Sequence, residues 1–521
     1  MTSTKSTLIA LLAAFPRTII ARNVIGASCI DGPCADGSCC NGGFCGWTDD
    51  KCGGGCSSGP CVEVKWQDID CAVAEDTESA GNVIWGDSQT NFVFEEALSS
   101  WLGASGTGLQ RFYGEDGTGT SLTFSEYIAK YVGGPANMKC ATLVDRNGCD
   151  GFLERCESAD GPGGYLLLNS FVALNNIIWN WYDQLSRSAT AVSLDMSTFS
   201  DTFAPIPNEG LGLTLILDMV TLGYAAVAAP MWKSVFKKQD WFNNPDNFAT
   251  VEGLTKDLIS TGATIAKDAT RAGTKLTSQN TLDVRVGAMI ETWHAAADTL
   301  NQHIFSGDPL GLNDNLDLLK NLITDGKFAG SDLDLLSAEE LDGQIKKAIY
   351  GQLIPYAWSV GSSEVYPFML ATGKPCSETG ADHVPKGATH WCITNEGQEE
   401  GFYLMGTFGS STCVFEDPFT GYKCYDYKAP PGVDELDGTK WGGVTQEDIV
   451  VAAYNTWFAN GRTNAKRPEE SDITNDDMIL SESNIRAAGL VWFPVCSTEE
   501  AHNNWGRFAR GYGKSDNYPC N

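Results

Sequence analysis

Residues 29–61 read CIDGPCADGSCCNGGFCGWTDDKCGGGCSSGPC and hold eight of the chain's 18 cysteines: Cys29, Cys34, Cys39, Cys40, Cys45, Cys52, Cys56 and Cys61. A segment this rich in glycine, with hardly an aliphatic side chain, cannot bury enough apolar surface to offset its conformational entropy. Covalent crosslinks must hold it. Spacing alone does not fix which cysteine joins which, and another disulfide knot or a zinc site is open to the same residues. Zinc is disfavoured, because no histidine lies near these cysteines and the chain begins like an exported protein.

The vicinal pair Cys39-Cys40, the Cys45-Gly46 step, the six residues before Cys52 and the closing Cys56 and Cys61 together resemble the hevein-like (type 1) chitin-binding module. The resemblance implies disulfides Cys29–Cys40, Cys34–Cys45, Cys39–Cys52 and Cys56–Cys61. It also implies chitin or N-acetylglucosamine oligomers as partner, with sugar rings laid on aromatic faces and a small polar side chain bonding the acetamide. Carried onto this sequence, Asn41 takes the polar position after the vicinal cysteines and Phe44 the aromatic before Cys45. The segment is one residue short, so another aromatic position falls on Gly42 or Gly43, and the aromatic expected before Cys52 is Lys51. Trp47 stands in the neighbouring turn as a replacement. The expected chitin-binding set is Asn41, Phe44 and Trp47.

Upstream, residues 1–27 read as a signal peptide: Lys5 supplies the positive start, LIALLAAF (Leu8 to Phe15) the apolar core, and cleavage is expected after Ala21 or Ala27. The other ten cysteines bring the total to an even 18, which suits oxidation outside the cell, so an extracellular protein is expected. With 35 basic against 66 acidic side chains the net charge is −31, which repels nucleic acid and anionic headgroups.

Downstream, residues 62–90 are acidic and small and read as a linker. Residues 91–360 read as a helical domain. Thr123-x-x-Glu126 and Ser337-x-x-Glu340 are capping-box signatures. Phe171, Leu174, Ile178, Trp181 and Leu185 recur at spacings of three and four, as do residues of a second long helix from Leu282 to Ile304, including Val286, Met289 and Trp293. From 361 to 521 the texture changes to glycine, proline and six cysteines, and CVFEDPFTGYKC (Cys413 to Cys424) reads as a hairpin. The expected fold is therefore a small hevein-like module, a mainly α-helical domain and a disulfide-braced α/β region.

The stretch 211–232, LGLTLILDMVTLGYAAVAAPMW, carries a single charge, Asp218, and is long enough to cross a hydrocarbon core. Gly212, Gly223, Pro230 and the mid-segment Asp favour a buried core helix, a charge at bilayer centre costing ~3 kcal/mol. A sequestered hairpin that inserts into a target membrane is the competing reading, and only it gives the chain a membrane partner. Runs such as GYLLLNSFVALNNIIWNWYDQL and LGLTLILDMVTLGYAAVAAPMWKSVF resemble the C-terminal extension of fungal killer-toxin-like chitinases. In those proteins a family-18 barrel follows the hevein-like module.

That barrel's carboxylate array, DxxDxDxE, is missing, and the nearest stretch runs from Asp150 to Glu157 without the intermediate acid pair. His294 and His303 are nine apart, about 180° around a helix, and cannot share a metal. Asp382, His383 and His390 fall in one loop between Cys376 and Cys392, the single cluster suited to a metal or a general base. No catalytic residue, metal ligand or cofactor is assigned. The expected function is a secreted chitin-binding protein whose module tethers a non-catalytic helical domain; the alternatives are a chitin-targeted toxin and a hydrolase of unfamiliar type.

Overall fold

In the computed structural model the chain divides into two compact units, residues 1–69 and 70–521. It describes strands 39–41 and 44–46 and, from residue 65 on, all but residues 76–79, 103–121, 144–146, 151–154, 205–222, 227, 230, 233–234, 237–246, 273–281, 308–313, 330–336, 361–364, 379, 396, 409–412, 418–420, 425–426 and 465–483. Within the first unit, β1 (Cys39–Asn41) and β2 (Phe44–Gly46) form an antiparallel pair.

The second unit starts inside the stretch read as linker. Cys71 is joined to Cys156, and α1 (Gly81–Asp87) follows with Ile84 and Trp85 buried. Helix α2 (Thr90–Leu102) and α3 (Phe124–Tyr131) come next, the latter opened by the expected Thr123/Glu126 capping box. The spine is α4 (Gly161–Phe203), whose 43 residues span about 65 Å at 1.5 Å per residue. Pro162 at its first turn needs no N–H partner, and Gly163 is required by close approach, since a Cβ there would lie 2.5 Å from the Ser88 carbonyl oxygen.

Three aromatic clusters sit along this spine. Near its start Phe171 meets Phe124 and Phe305, and Phe124 meets Trp101. At its middle Trp181 packs edge-on against Tyr224, and Gly223 lies beneath Trp293. At its end Phe199 and Phe203 pack on Trp441, with Tyr350 and Trp358 beside them. Trp101 and Phe124 come from α2 and α3, Tyr224 from the 223–226 segment, Trp293 and Phe305 from α6 (Leu282–Phe305), Tyr350 and Trp358 from α8 (Ala338–Val360) and Trp441 from the 441–443 turn; α5 (Phe248–Ala272) and α7 (Asp314–Ile323) are the other helices of this part. Of the side chains that spacing picked out on α4 and α6, Phe171, Leu174, Ile178, Trp181, Leu185, Val286, Met289 and Trp293 are in this core and at most 1% exposed, while that of Leu282 lies outside the described residues. Asn175 and Asn301 are buried too, and both donate to the Cys140 carbonyl at 2.8 Å, tying the Cys140–Cys149 loop to α4 and α6.

The described positions of the apolar stretch, 223–226, 228–229 and 231–232, are helical and buried. Among the described residues no helix is long and apolar enough to cross a membrane. Asp218 lies outside them.

The rest is a four-stranded sheet, ordered β4-β5-β3-β8, with helices on it: β3 (Val365–Ala371), β4 (Trp391–Asn395) and β5 (Gln398–Phe408) are antiparallel, while β8 (Val495–Ser497) runs parallel to β3. The expected hairpin is present as β6 (Cys413–Asp417) and β7 (Gly421–Cys424), Cys413 facing Cys424 in register. Helix α9 (Gln446–Ala459) and α10 (Thr498–Ala509) complete the region. The unit is thus mainly helical with a small sheet, and the described residues include four disulfides, the last two being Cys376–Cys392 and Cys496–Cys520.

Candidate functional site

In the N-terminal unit the β1/β2 register sets Cys40 opposite Cys45 and Asn41 opposite Phe44. The two intervening residues are both glycine, the composition that two-residue hairpin connections favour. That register makes two of the three expected ligand residues, Asn41 and Phe44, cross-strand partners. Trp47 and the cysteines at 29, 34, 52, 56 and 61 lie outside the described residues, as does the implied pairing.

In the second unit, the loop between Cys376 and Cys392 is closed by their disulfide and laid against α10. It packs on a core of Phe368, Tyr403, Tyr427 and Trp505 through Ala381, Val384 and Ala388. His383, held at φ 66°, stacks its ring face to face on His502 of α10, centroids 3.8 Å apart and planes 2° from parallel. His390 instead packs against Tyr403. Asp382 contributes its backbone, its carbonyl accepting from the Thr498 hydroxyl at 2.6 Å, and the Tyr427 N–H donates to the His383 carbonyl at 2.9 Å. His502 is a residue that sequence reading missed, because 119 positions separate it from its partner and no motif links them.

Two stacked imidazoles direct their nitrogen lone pairs within parallel planes, so they cannot converge on one ion at normal bond length. They form a contact that tolerates little charge. Burial, and then the proximity of His383, lower the His502 pKa. A His whose folded pKa lies below its unfolded value of about 6.5 leaves stability intact above that pH, and stability falls as the pH drops toward the folded value. Tyr427 and Trp505 flank the pair, and Asp382, Glu499 and Glu500 are the carboxylates nearest in sequence on the two elements. Protection of residues 381–390 from hydrogen exchange, corrected for the intrinsic pH dependence of exchange, should therefore fall between pH 6.5 and 5, and His502→Phe, which keeps the stack but cannot titrate, should flatten that dependence. An unchanged pH profile in the variant would assign the effect to other groups.

A second polar cluster joins α4 to α6. Ser186 Oγ lies 2.7 Å from His294 Nε2, Tyr182 stacks on the imidazole, and Asp298 is one turn further on. Burial lowers the His294 pKa against the opposing pull of Asp298. Acyl transfer needs more than this pair: donors must await the oxyanion, and Ser186 sits in the interior of a 43-residue helix whose neighbouring N–H groups are spent on the helix itself. The contact joins two helices.

Glu157 is exposed beside the Cys71–Cys156 bridge, far from the paired-acid arrangement that glycoside hydrolysis uses. Among the described residues the group of ligand atoms close enough to share a metal is Cys376, Cys392 and Glu399, and the two sulfurs are bonded to each other, which removes the thiolates a metal would need.

The chain is 27% identical over 429 residues to "Probable chitinase LysM18" of Penicillium expansum and 23% identical over 453 residues to "Secreted chitinase LysM12" of the same organism. These alignments take in 74% and 78% of this chain and 29% of each relative, so the chain spans less than a third of the length of either. An alignment of that extent cannot be confined to the 69 residues of the first unit, and most of it falls in the second. No family model matches the chain, and no solved structure does.

Proposed function

We propose that this is a secreted chitin-binding protein, in which the hevein-like module of residues 28–61 tethers the large unit to chitin or to a cell wall. The reading is carried by the similarity, running mostly through the second unit, to two proteins named as chitinases, one of them named as secreted. The cysteine spacing of the first unit and the Asn41/Phe44 hairpin support the same ligand from the other end of the chain. The tethered unit is non-catalytic in this proposal: it lacks the DxxDxDxE carboxylates, and its exposed Glu157 has no paired acid at the required positions.

The test is pull-down of the purified protein on insoluble chitin, beside an assay for released chito-oligomers. Wild type should bind and release nothing. Phe44→Ala/Trp47→Ala should lose binding while its disulfides stay formed, each ring contributing on the order of 1 kcal/mol to a weak site. Full binding by the double variant would move the platform elsewhere, and no binding by wild type to chitin or its oligomers would sink the tether. Product release would show a catalytic unit.

A further inference from the structure

Three aromatic rings in the C-terminal region surround one ammonium group. Lys514 Nζ lies 3.8 Å from the ring centroid of Tyr366, 4.3 Å from that of Phe508 and 5.7 Å from that of Tyr518, and it donates to the Tyr366 hydroxyl. The rings also brace one another: Tyr366 meets Tyr518 at 90° with centroids 4.9 Å apart, and Phe508 meets Tyr518 at 5.3 Å. Each ring presents negative π density, so the three together form a cage for a cation.

The cage and its occupant are held very differently. Tyr366 belongs to β3 and pairs across to Thr407 of β5, Phe508 to α10, and Tyr518 to the terminal segment closed by Cys496–Cys520. Lys514 belongs to the exposed run 510–516, between Gly513 and Ser515. Both Gly511 and Gly513 have open space where a side chain would be. The two arginines of the same turn are engaged elsewhere, Arg507 over the Tyr512 ring and Arg510 on the Gly506 carbonyl. A cage built from a strand, a helix and a disulfide-closed segment thus holds a cation carried by an exposed, glycine-flanked one.

We propose that Tyr366, Phe508 and Tyr518 form a binding site for a primary ammonium ligand, the protonated amino group of a glucosamine unit in partly deacetylated chitin, with Lys514 as its tethered substitute. The choice of an amino sugar rests on the chitin-binding reading above; the cage itself does not. A glucosamine unit offers an ammonium for the ring faces and pyranose C–H groups to stack beside it, whereas an N-acetylglucosamine unit offers only the second. Lysine in the same chain competes at an effective concentration in the millimolar range, so the site is masked until the ligand outcompetes it or the loop is displaced.

Calorimetric titration of the full chain with glucosamine hexamer and, separately, N-acetylglucosamine hexamer tests this. Lys514→Gln vacates the cage and should raise affinity for glucosamine hexamer at least tenfold. Adding Tyr366→Leu to that variant should abolish the gain, and Phe508→Leu serves the same purpose if the tyrosine variant does not fold. Affinity for the N-acetyl hexamer should be the same in all variants. An unchanged affinity in Lys514→Gln overturns the proposal. So does a gain that survives loss of the ring, because it would then reflect only one repelling charge removed from a chain of net charge −31. If no variant binds the N-acetyl hexamer, the N-terminal chitin site fails by itself, and the cage is still decided by the glucosamine titrations.

Discussion

Gly223→Arg should cost on the order of 5 kcal/mol of stability and leave little folded protein. Gly223 faces the indole of Trp293, and even a Cβ would lie 2.4 Å from its Cζ2, closer than real atoms approach. The surroundings cannot yield cheaply. Trp293 is fully buried, Tyr224 next in the chain is wedged against Trp181, and a Cβ on Gly262 of α5 would strike the Tyr224 ring at 2.4 Å. Two glycines and two large rings fit one another there, and an arginine adds a buried charge to the clash. Urea unfolding of the variant beside wild type reads the loss. The same packing gives an expectation for membranes: if the 211–232 segment is a core element, the folded wild-type protein should release no dye from liposomes. Leakage at low micromolar concentration, or a stable Gly223→Arg variant, would restore the toxin reading.

Asp448→Asn should cost about 2–4 kcal/mol. The carboxylate is 3% exposed and accepts from Arg486 Nε at 2.7 Å, Lys347 Nζ at 3.0 Å and the Thr445 N–H at 3.0 Å, so it locks α8, the start of α9 and the 484–486 turn together. Breaking a buried ion pair from one side costs ~3–5 kcal/mol; the lower range applies because Arg486 and Lys347 are partly exposed and water can rehydrate them. Burial pushes the Asp448 pKa up, but Arg486, the Thr445 N–H and Lys347 outweigh it and hold the group below the usual carboxylate range. A carboxylate with a depressed folded pKa contributes stability that is complete above its unfolded pKa of about 3.9 and lost as pH falls through the folded value. Denaturant unfolding between pH 7 and 3 should show wild type losing part of its advantage over Asp448→Asn below about pH 4. A constant difference across that range would mean that folding does not shift the pKa of the aspartate.

The proposed chitin tether and the ammonium cage lie in different units and make separable demands. One needs ring faces for a neutral sugar, the other ring faces around a positive charge. A polymer in which acetylated and free amino sugars alternate offers both, and the two titrations assign each contribution to its own residues.

Much of this was written locally in the chain. The expectation of a crosslinked N-terminal segment follows from composition, since glycine-rich sequence without aliphatics cannot fold on burial alone. The capping boxes at Thr123 and Ser337, the buried faces of α4 and α6 and the Cys413–Cys424 hairpin follow from spacings of two to four residues, where a helix or strand repeats itself. The sequence alone also shows that the family-18 carboxylates are missing. What it could not show are the contacts between elements far apart in the chain, which depend on how rigid elements dock and leave no periodic trace. Tertiary structure alone carries Cys71 to Cys156, stacks His383 on His502, closes Gly223 and Gly262 around Tyr224 and Trp293, and brings Tyr366 to Phe508 and Tyr518 around Lys514.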